Sequence, residues 1–226
     1  SIRGYANTLI GICYFLRARP GHEEMFKLLS VLTTSLMEAY KAHRDDNWHW
    51  FEDTMTYDNA ILPLALFHSA EITGDDKVKK VAIESLAFLD KISFRNEYFT
   101  PVGNDKWHER NNGKQIPPLY DQQAIETMGM VLVYFQAYES TQNPKYIQKM
   151  FTSYLWFLGE NSLRVPLYDH ETKGCCDGLQ SNGINRNQGA ESTLAYFISY
   201  LTVLKAFEKE YQLQYNLSPA VEFAQS

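Results

Sequence analysis

The sequence predicts an all-α fold: an α/α hairpin repeat forming a partial (α/α)6-toroid-like arc of inner and outer helices. Three observations carry that prediction. Seven stretches show helical apolar periodicity, and strand-like alternation is weak throughout. The stretches alternate between one-sided and all-round apolar character. The connections alternate between short turns and long loops.

The helical stretches run roughly 3–18, 22–43, 57–73, 75–92, 121–139, 143–160 and 188–211. The second carries a one-sided stripe of Met25, Leu28, Leu29, Leu32 and Leu36. The fourth repeats this with Val78, Val81, Ala82 and Leu89, and the sixth with Tyr146, Met150, Tyr154 and Phe157. The first, third, fifth and seventh are apolar nearly all round, as in Leu9 to Leu16, Ile61 to Phe67, Met128 to Val133 and the set Leu194, Phe197, Ile198, Leu201 and Leu204. A helix apolar on every side must be covered on every side. Half-exposed helices therefore ring buried ones.

Arg19-Pro20-Gly21, Thr73-Gly74-Asp75 and Thr141-Gln142-Asn143-Pro144 are short turns punctuated by Gly, Pro or Asn. Between them lie long loops at about 44–56, 93–120 and 161–187. An inner helix, a short turn, an outer helix and a long loop return the chain to the same end each time, so all long loops share one face. Loops of this length in a compact domain are functional or disordered, and these are too aromatic for disorder. The inner-helix starts repeat as Tyr57-Asp58-Asn59-Ala60, Asp121-Gln122-Gln123-Ala124 and Asn187-Gln188-Gly189-Ala190, with the alanines 64 and 66 residues apart. The whole chain reads as a single domain over 1–226. A closed ring of six such units needs roughly 390 residues. With about three and a half units and a start at Ser1, the chain is expected to be a fragment or an arc capped by another domain or another copy.

Charge and cysteine usage exclude several classes. A net charge of −6 and a pI near 5.5, with no Lys/Arg run, argue against nucleic acid. No uninterrupted apolar stretch reaches membrane-spanning length, and no signal peptide is visible. Three cysteines without framework spacing point to a reducing, cytoplasmic compartment. No metal or cofactor is expected: His170, Cys175 and Cys176 match no zinc spacing, and His108-Glu109 lacks an HExxH helix. Without a phosphate-cradling Gly-rich loop, the chain cannot by itself be a sugar-nucleotide transferase.

Taken together, Trp50-Phe51-Glu52-Asp53, Tyr57-Asp58-Asn59-Ala60, Asp121-Gln122-Gln123, Leu167-Tyr168-Asp169, Cys176-Asp177-Gly178-Leu179 and Asn185-x-Asn187-Gln188-Gly189-Ala190-Glu191-Ser192 resemble bacterial helical domains of the six-hairpin glycosidase superfamily. Such domains are found attached to glycosyltransferases or described as such. The resemblance covers about residues 3–211. It implies the toroid fold and a carbohydrate ligand, and assigns no catalytic residue.

The candidate catalytic carboxylates are Glu52, Asp53, Asp58, Asp121 and Glu191. Asp58 and Asp121 begin inner helices, where they serve either as N-caps or as cavity-facing groups kept ionised by the helix dipole. Glu52 and Asp53 follow an aromatic run, which raises a carboxyl pKa by desolvation and suits a general acid. Glu191 lies one turn into a helix otherwise apolar all round, as part of a capping arrangement or facing a cavity. Glycoside cleavage needs one acid and one base or nucleophile. The favoured pair is Glu52 or Asp53 with Asp121; the alternative is Asp58 with Glu191. Candidate sugar contacts are Trp48, Trp50, Trp107, Tyr120 and Tyr168 as stacking platforms and Gln122, Gln123, Asp177, Asn187 and Gln188 as hydrogen-bonding groups. Asp177 reads first as a turn residue, in Cys176-Asp177-Gly178.

The first expectation is therefore a glycoside-processing enzyme, of hydrolase type. The second is a non-catalytic glycan-binding or scaffold module beside an upstream glycosyltransferase domain, or within a homo-oligomer. A weaker third is an α/α epimerase using His49 and His108.

Overall fold

A computed structural model describes residues 1–95, 98–110 and 117–215. Seven α-helices alternate as the periodicity predicts: α1 (Ile2–Ala18), α2 (Glu23–His43), α3 (Ile61–Thr73), α4 (Asp76–Ser93), α5 (Ala124–Thr141), α6 (Lys145–Tyr154, extended by a 3-10 turn to Leu158) and α7 (Ala190–Tyr215). The inner helices pack in series, α1 on α3, α3 on α5 and α5 on α7, with no comparable packing of α1 on α7. The outer helices α2, α4 and α6 each pack on the inner helix before them. The result is an open arc.

α3 is the clearest inner helix, with every residue from Leu62 to Ala70 buried. Its end is set by Gly74 at φ 68°, a left-handed conformation that glycine adopts without strain. Asp75 then caps α4 by accepting from the Lys77 and Val78 N–H groups. α5 ends in the same way, at Gln142 with φ 56°.

The inner helices α3 and α5 start later than their apolar periodicity suggests, because Asp58 (φ 47°) and Asp121 (φ 56°) take the left-handed conformation that short polar side chains tolerate. Each lies three residues before its helix and is followed by a fully buried amide, Asn59 or Gln122. Asn187 stands three residues before α7. Aligned on helix starts, the repeat sets Asp58, Asp121 and Asn187 in register.

Short strands knit the long loops together. β1 (Thr54–Met55) pairs with β4 (His108–Glu109), and β2 (Phe94–Arg95) with β3 (Tyr98–Phe99). β5 (Gln122–Gln123), β6 (Gly178–Gln180) and β7 (Gly183–Asn185) form an antiparallel sheet in that order. Pairs β1–β4 and β5–β6 join loops of successive hairpins, so all three long loops do share one end. The β5–β6 approach demands Gly178, since a Cβ there would lie 2.2 Å from the Gln122 carbonyl oxygen. Period-2 patterning over two or three residues is too brief to read from sequence, which is why these strands were not foreseen.

The arc leaves its edges open among the described residues. Leu194, Phe197, Ile198, Leu201 and Leu204 of α7 are exposed, as are Tyr5, Tyr14 and Phe15 of α1. The C-terminal tail, residues 216–226, lies outside those described. These edges set a contrast for stability. Leu66→Ala, at a fully buried position, is expected to cost about 2–5 kcal/mol in urea unfolding. Leu201→Ala, at a position 61% exposed, is expected to change stability by less than about 0.5 kcal/mol. Equal losses at both sites would show that the α7 edge is covered in solution.

Candidate active-site cleft

The starts of α3, α5 and α7 meet the loop sheets at one end. There, Asn104, Asp121, Gln123, Gln180, Asn185 and Glu191 line a polar cleft of about 540 Å³. Asp58, three residues before α3 and 9% exposed, does not itself line the cleft; it lies within electrostatic reach of Glu191, which does. The approach of α5 that places Asp58 is close: a Cβ on Gly129 would lie 3.0 Å from the Ala60 Cβ and 3.8 Å from Asp58 Oδ1. Burial pushes the Asp58 carboxyl up to about 6; the Arg3 guanidinium opposes this and the Glu191 charge adds to it. Glu191 itself is exposed on the cleft lip. Asp58, Asp121 and Glu191, from three different repeat units, are thus brought to one end of the arc.

Arg3, in the first turn of α1, organises the other side of Asp58. Its guanidinium donates to Glu52 Oε2 at 2.8 Å and to the Tyr57 carbonyl, and stacks 5.3 Å from the centre of the Tyr57 ring. The Tyr57 ring is half exposed. Glu52 is thereby engaged in an ion pair. Asp53 is exposed and paired to Arg110 at 3.0 Å, a cation that also holds Asp45.

The aromatic residues divide. Trp48 and Trp50 are buried; Trp48 packs on Phe88 and His108 and donates to the Glu52 carbonyl. They belong to the packing of the outer layer, with His49 also set against Phe88. Trp107 is 56% exposed, while Tyr120 and Tyr168 are half-buried. Tyr168 stacks on Tyr196, with centroids 4.0 Å apart.

The amides divide too. Gln122 is wholly internal: it donates to Leu119 O and Ser162 and accepts from the Trp156 indole. Gln123 faces the cleft. Gln188 bonds Thr172 and Asp169. Asp177 serves the start of α7, accepting from the Asn187 amide, the Gly189 N–H at 2.9 Å and the Ser192 hydroxyl at 2.7 Å. Burial works against its charge, but these bonds prevail and hold the carboxyl below its usual range.

One carboxylate was not foreseen. Glu126, in the first turn of α5, is 5% exposed and reaches back to the start of α3, where Oε2 accepts from the Asn59 backbone N–H at 3.2 Å and its side-chain amide at 3.3 Å. Burial lifts it to about 7, against these bonds. Among the described residues, no group of three His, Cys, Asp or Glu is placed to hold a metal, and no helix is long and apolar enough to cross a membrane.

No family model and no curated protein matches the chain. Solved structures do. A GH76 alpha-mannanase of Bacteroides thetaiotaomicron superposes with a TM-score of 0.67 at 11% identity, over 92% of this chain and 53% of that one. The GH76A alpha-1,6-mannanase of Salegentibacter sp. HEL1_6 superposes with a TM-score of 0.65 at 14% identity, over 100% of this chain and 63% of that one. The fold is an open arc of the α/α-toroid type. An inactive variant of the Salegentibacter enzyme, with two adjacent aspartates changed to asparagine, is seen in complex with alpha-1,6-mannotriose (TM-score 0.64, 15% identity). This chain thus spans between half and two thirds of the toroids it resembles.

The Asp177 arrangement yields a stability test. Asp177→Ala leaves the α7 start without its acceptor and is expected to cost about 1–2 kcal/mol at pH 7. The depressed pKa fixes the sign: the stabilisation is present above the unfolded carboxylate range and lost as pH falls through the folded value. The deficit of the variant, followed by urea unfolding, should therefore shrink on acidification. A deficit that grows towards low pH would contradict the assignment.

Proposed function

We propose that this chain is a glycoside-hydrolysing domain whose cleft binds an α-linked oligosaccharide, of the mannan type that the structural neighbours act on. The observation that carries the reading is the pairing of Asp58, a buried carboxyl raised to about 6, with the exposed Glu191 at the lip of a polar cleft. A buried carboxyl whose proton affinity is raised is suited to acid work. Asp58 serves as the general acid. Glu191 serves as the base or nucleophile on the open side. Asp121, Gln123, Asn104 and Asn185 offer acceptors and donors for sugar hydroxyls.

The Salegentibacter enzyme loses activity when two adjacent aspartates are replaced. In this chain the Asp–Asp doublets are Asp45-Asp46, where Asp45 is bound to Arg110, and Asp75-Asp76, at the cap of α4. The pair assigned here comes instead from two separate inner-helix starts. Glycan binding without turnover, beside a glycosyltransferase domain or a second copy that covers the open edges, is the competing reading; the open α1 and α7 faces favour it. Buried, unbridged Cys13, Cys175 and Cys176 accord with a cytoplasmic setting.

Asp58→Asn should keep its backbone, because asparagine tolerates a positive φ. It is expected to lower kcat on α-mannooligosaccharides by about 100-fold or more, and Glu191→Gln likewise, with melting temperatures nearly unchanged. Reducing-sugar release checks this. Both variants retaining full activity would overturn the assignment. A parent protein that binds the oligosaccharide and cleaves none would put the binding module in its place.

A further inference from the structure

The contact between Glu126 and Asn59 is incomplete in a specific way. Glu126 Oε2 accepts two hydrogen bonds from Asn59. Glu126 Oε1 and Asn59 Oδ1, the other oxygens of the same carboxyl and the same amide, are buried and have no hydrogen-bond partner among the described residues. Both oxygens lack a donor. A carboxylate cannot supply one, whereas a carboxylic acid can donate to an amide oxygen while accepting from the amide nitrogen. A proton on Oε1 would turn that oxygen into a donor and offer Asn59 Oδ1 something to accept.

The surroundings argue the same way. A buried carboxylate is tolerated when a cation or several donors answer its charge. The guanidinium of Arg3 donates to Glu52 and the Tyr57 carbonyl; its charge acts on Asp58, and its buried Nη2 has no hydrogen-bond partner among the described residues. The charge that acts on Glu126 is the like-signed Asp58, while the Asp58 backbone N–H, like the Asn59 donors, favours the carboxylate and is outweighed by burial. Asp58 in turn faces Arg3 from α1 and Glu191 from α7.

We propose that Glu126 is a positioning residue, held neutral and paired through its own proton to the Asn59 side chain, and that this acid–amide pair fixes the turn carrying Asp58 and governs the pH range of its proton. The proposal rests on the glycoside-cleaving reading for its catalytic half alone. Asn59 follows Asp58 directly, so the pair anchors the left-handed turn to α5. A neutral Glu126 leaves Asp58 free of a second negative charge. When Glu126 ionises, its charge makes Asp58 hold its proton more tightly, and the two carboxyls titrate as a coupled pair.

Gln is the mimic of a protonated Glu, since it accepts and donates in the same places at every pH. Leu does neither. The folded Glu126 binds its proton more tightly than the unfolded chain does, so its stabilisation is complete below the unfolded carboxyl range, near 4.5, and is lost as pH rises through about 7. Melting temperatures of the parent, Glu126→Gln and Glu126→Leu are measured from pH 5 to 8. The proposal expects Glu126→Gln to gain on the parent as pH rises, and Glu126→Leu to be the least stable at pH 5. Infrared difference spectra should show a protonated carboxyl in the parent at pH 6 that is missing in Glu126→Gln. A stability gap that is flat or narrows with pH, or no such band, overturns the neutral pair. On oligosaccharide substrate, the alkaline limb of the kcat/KM profile should move to lower pH in Glu126→Gln. Coincident profiles overturn the link to Asp58. A parent with no turnover sinks the hydrolase reading and the link to catalysis, while the melting and infrared results still decide the neutral pair.

Discussion

The structure depends on one constraint: α3 is apolar on every side and has to be enclosed. Nine consecutive residues, Leu62 to Ala70, are buried, and α1, α4 and α5 all pack against them. At roughly 25 cal/mol per Å² of apolar surface, enclosure of such a helix outweighs any local propensity in its sequence. Enclosure forces the outer helices to the rim and sends each short turn to one end. The long loops are left at the other end, where strand pairs β1–β4 and β5–β6 tie them together. The cleft follows from packing, because the starts of α5 and α7 bring the buried layer against the loop strands.

That geometry also explains why carboxylates gather there. A helix start offers unsatisfied N–H groups. In this arc the acceptors come from neighbouring units: Glu126 of α5 answers the start of α3, and Asp177 of a long loop answers the start of α7. Asp177 is exposed enough, and bonded well enough, to stay charged. Glu126 is enclosed and does not have donors enough to do so. The same capping task therefore produces opposite protonation behaviour, decided by burial and by the number of donors.

Much of the fold was legible in the sequence because helical periodicity over 13 residues or more is a strong signal, and the alternation of one-sided and all-round helices fixes the layers. The site was legible in part. Asp58 and Asp121 stood out through the repeat at inner-helix starts, and Glu191 as a carboxyl on a helix apolar all round; Asp121 and Glu191 line the cleft, and the Glu191 charge reaches Asp58. The WHWFED run was harder. Trp48 and Trp50 look the same in sequence whether they face solvent or pack under a loop, and the ion pair that occupies Glu52 depends on Arg3, some fifty residues away. Glu126 did leave a signal: a lone carboxyl in the run Ala124-Ile125-Glu126-Thr127-Met128, on a helix apolar all round, needs a partner or a cavity, as Glu191 does.

The central claim, that the loop end of the arc is a sugar-processing cleft built around Asp58 and Glu191, is tested most directly by a crystal structure of the protein soaked with alpha-1,6-mannotriose. The account predicts a sugar ring in the 540 Å³ cleft, with its glycosidic oxygen on the Asp58 side and Glu191 opposite. A trisaccharide bound instead along the concave face around Tyr14, His68 and Gln136, with the cleft empty, would contradict it.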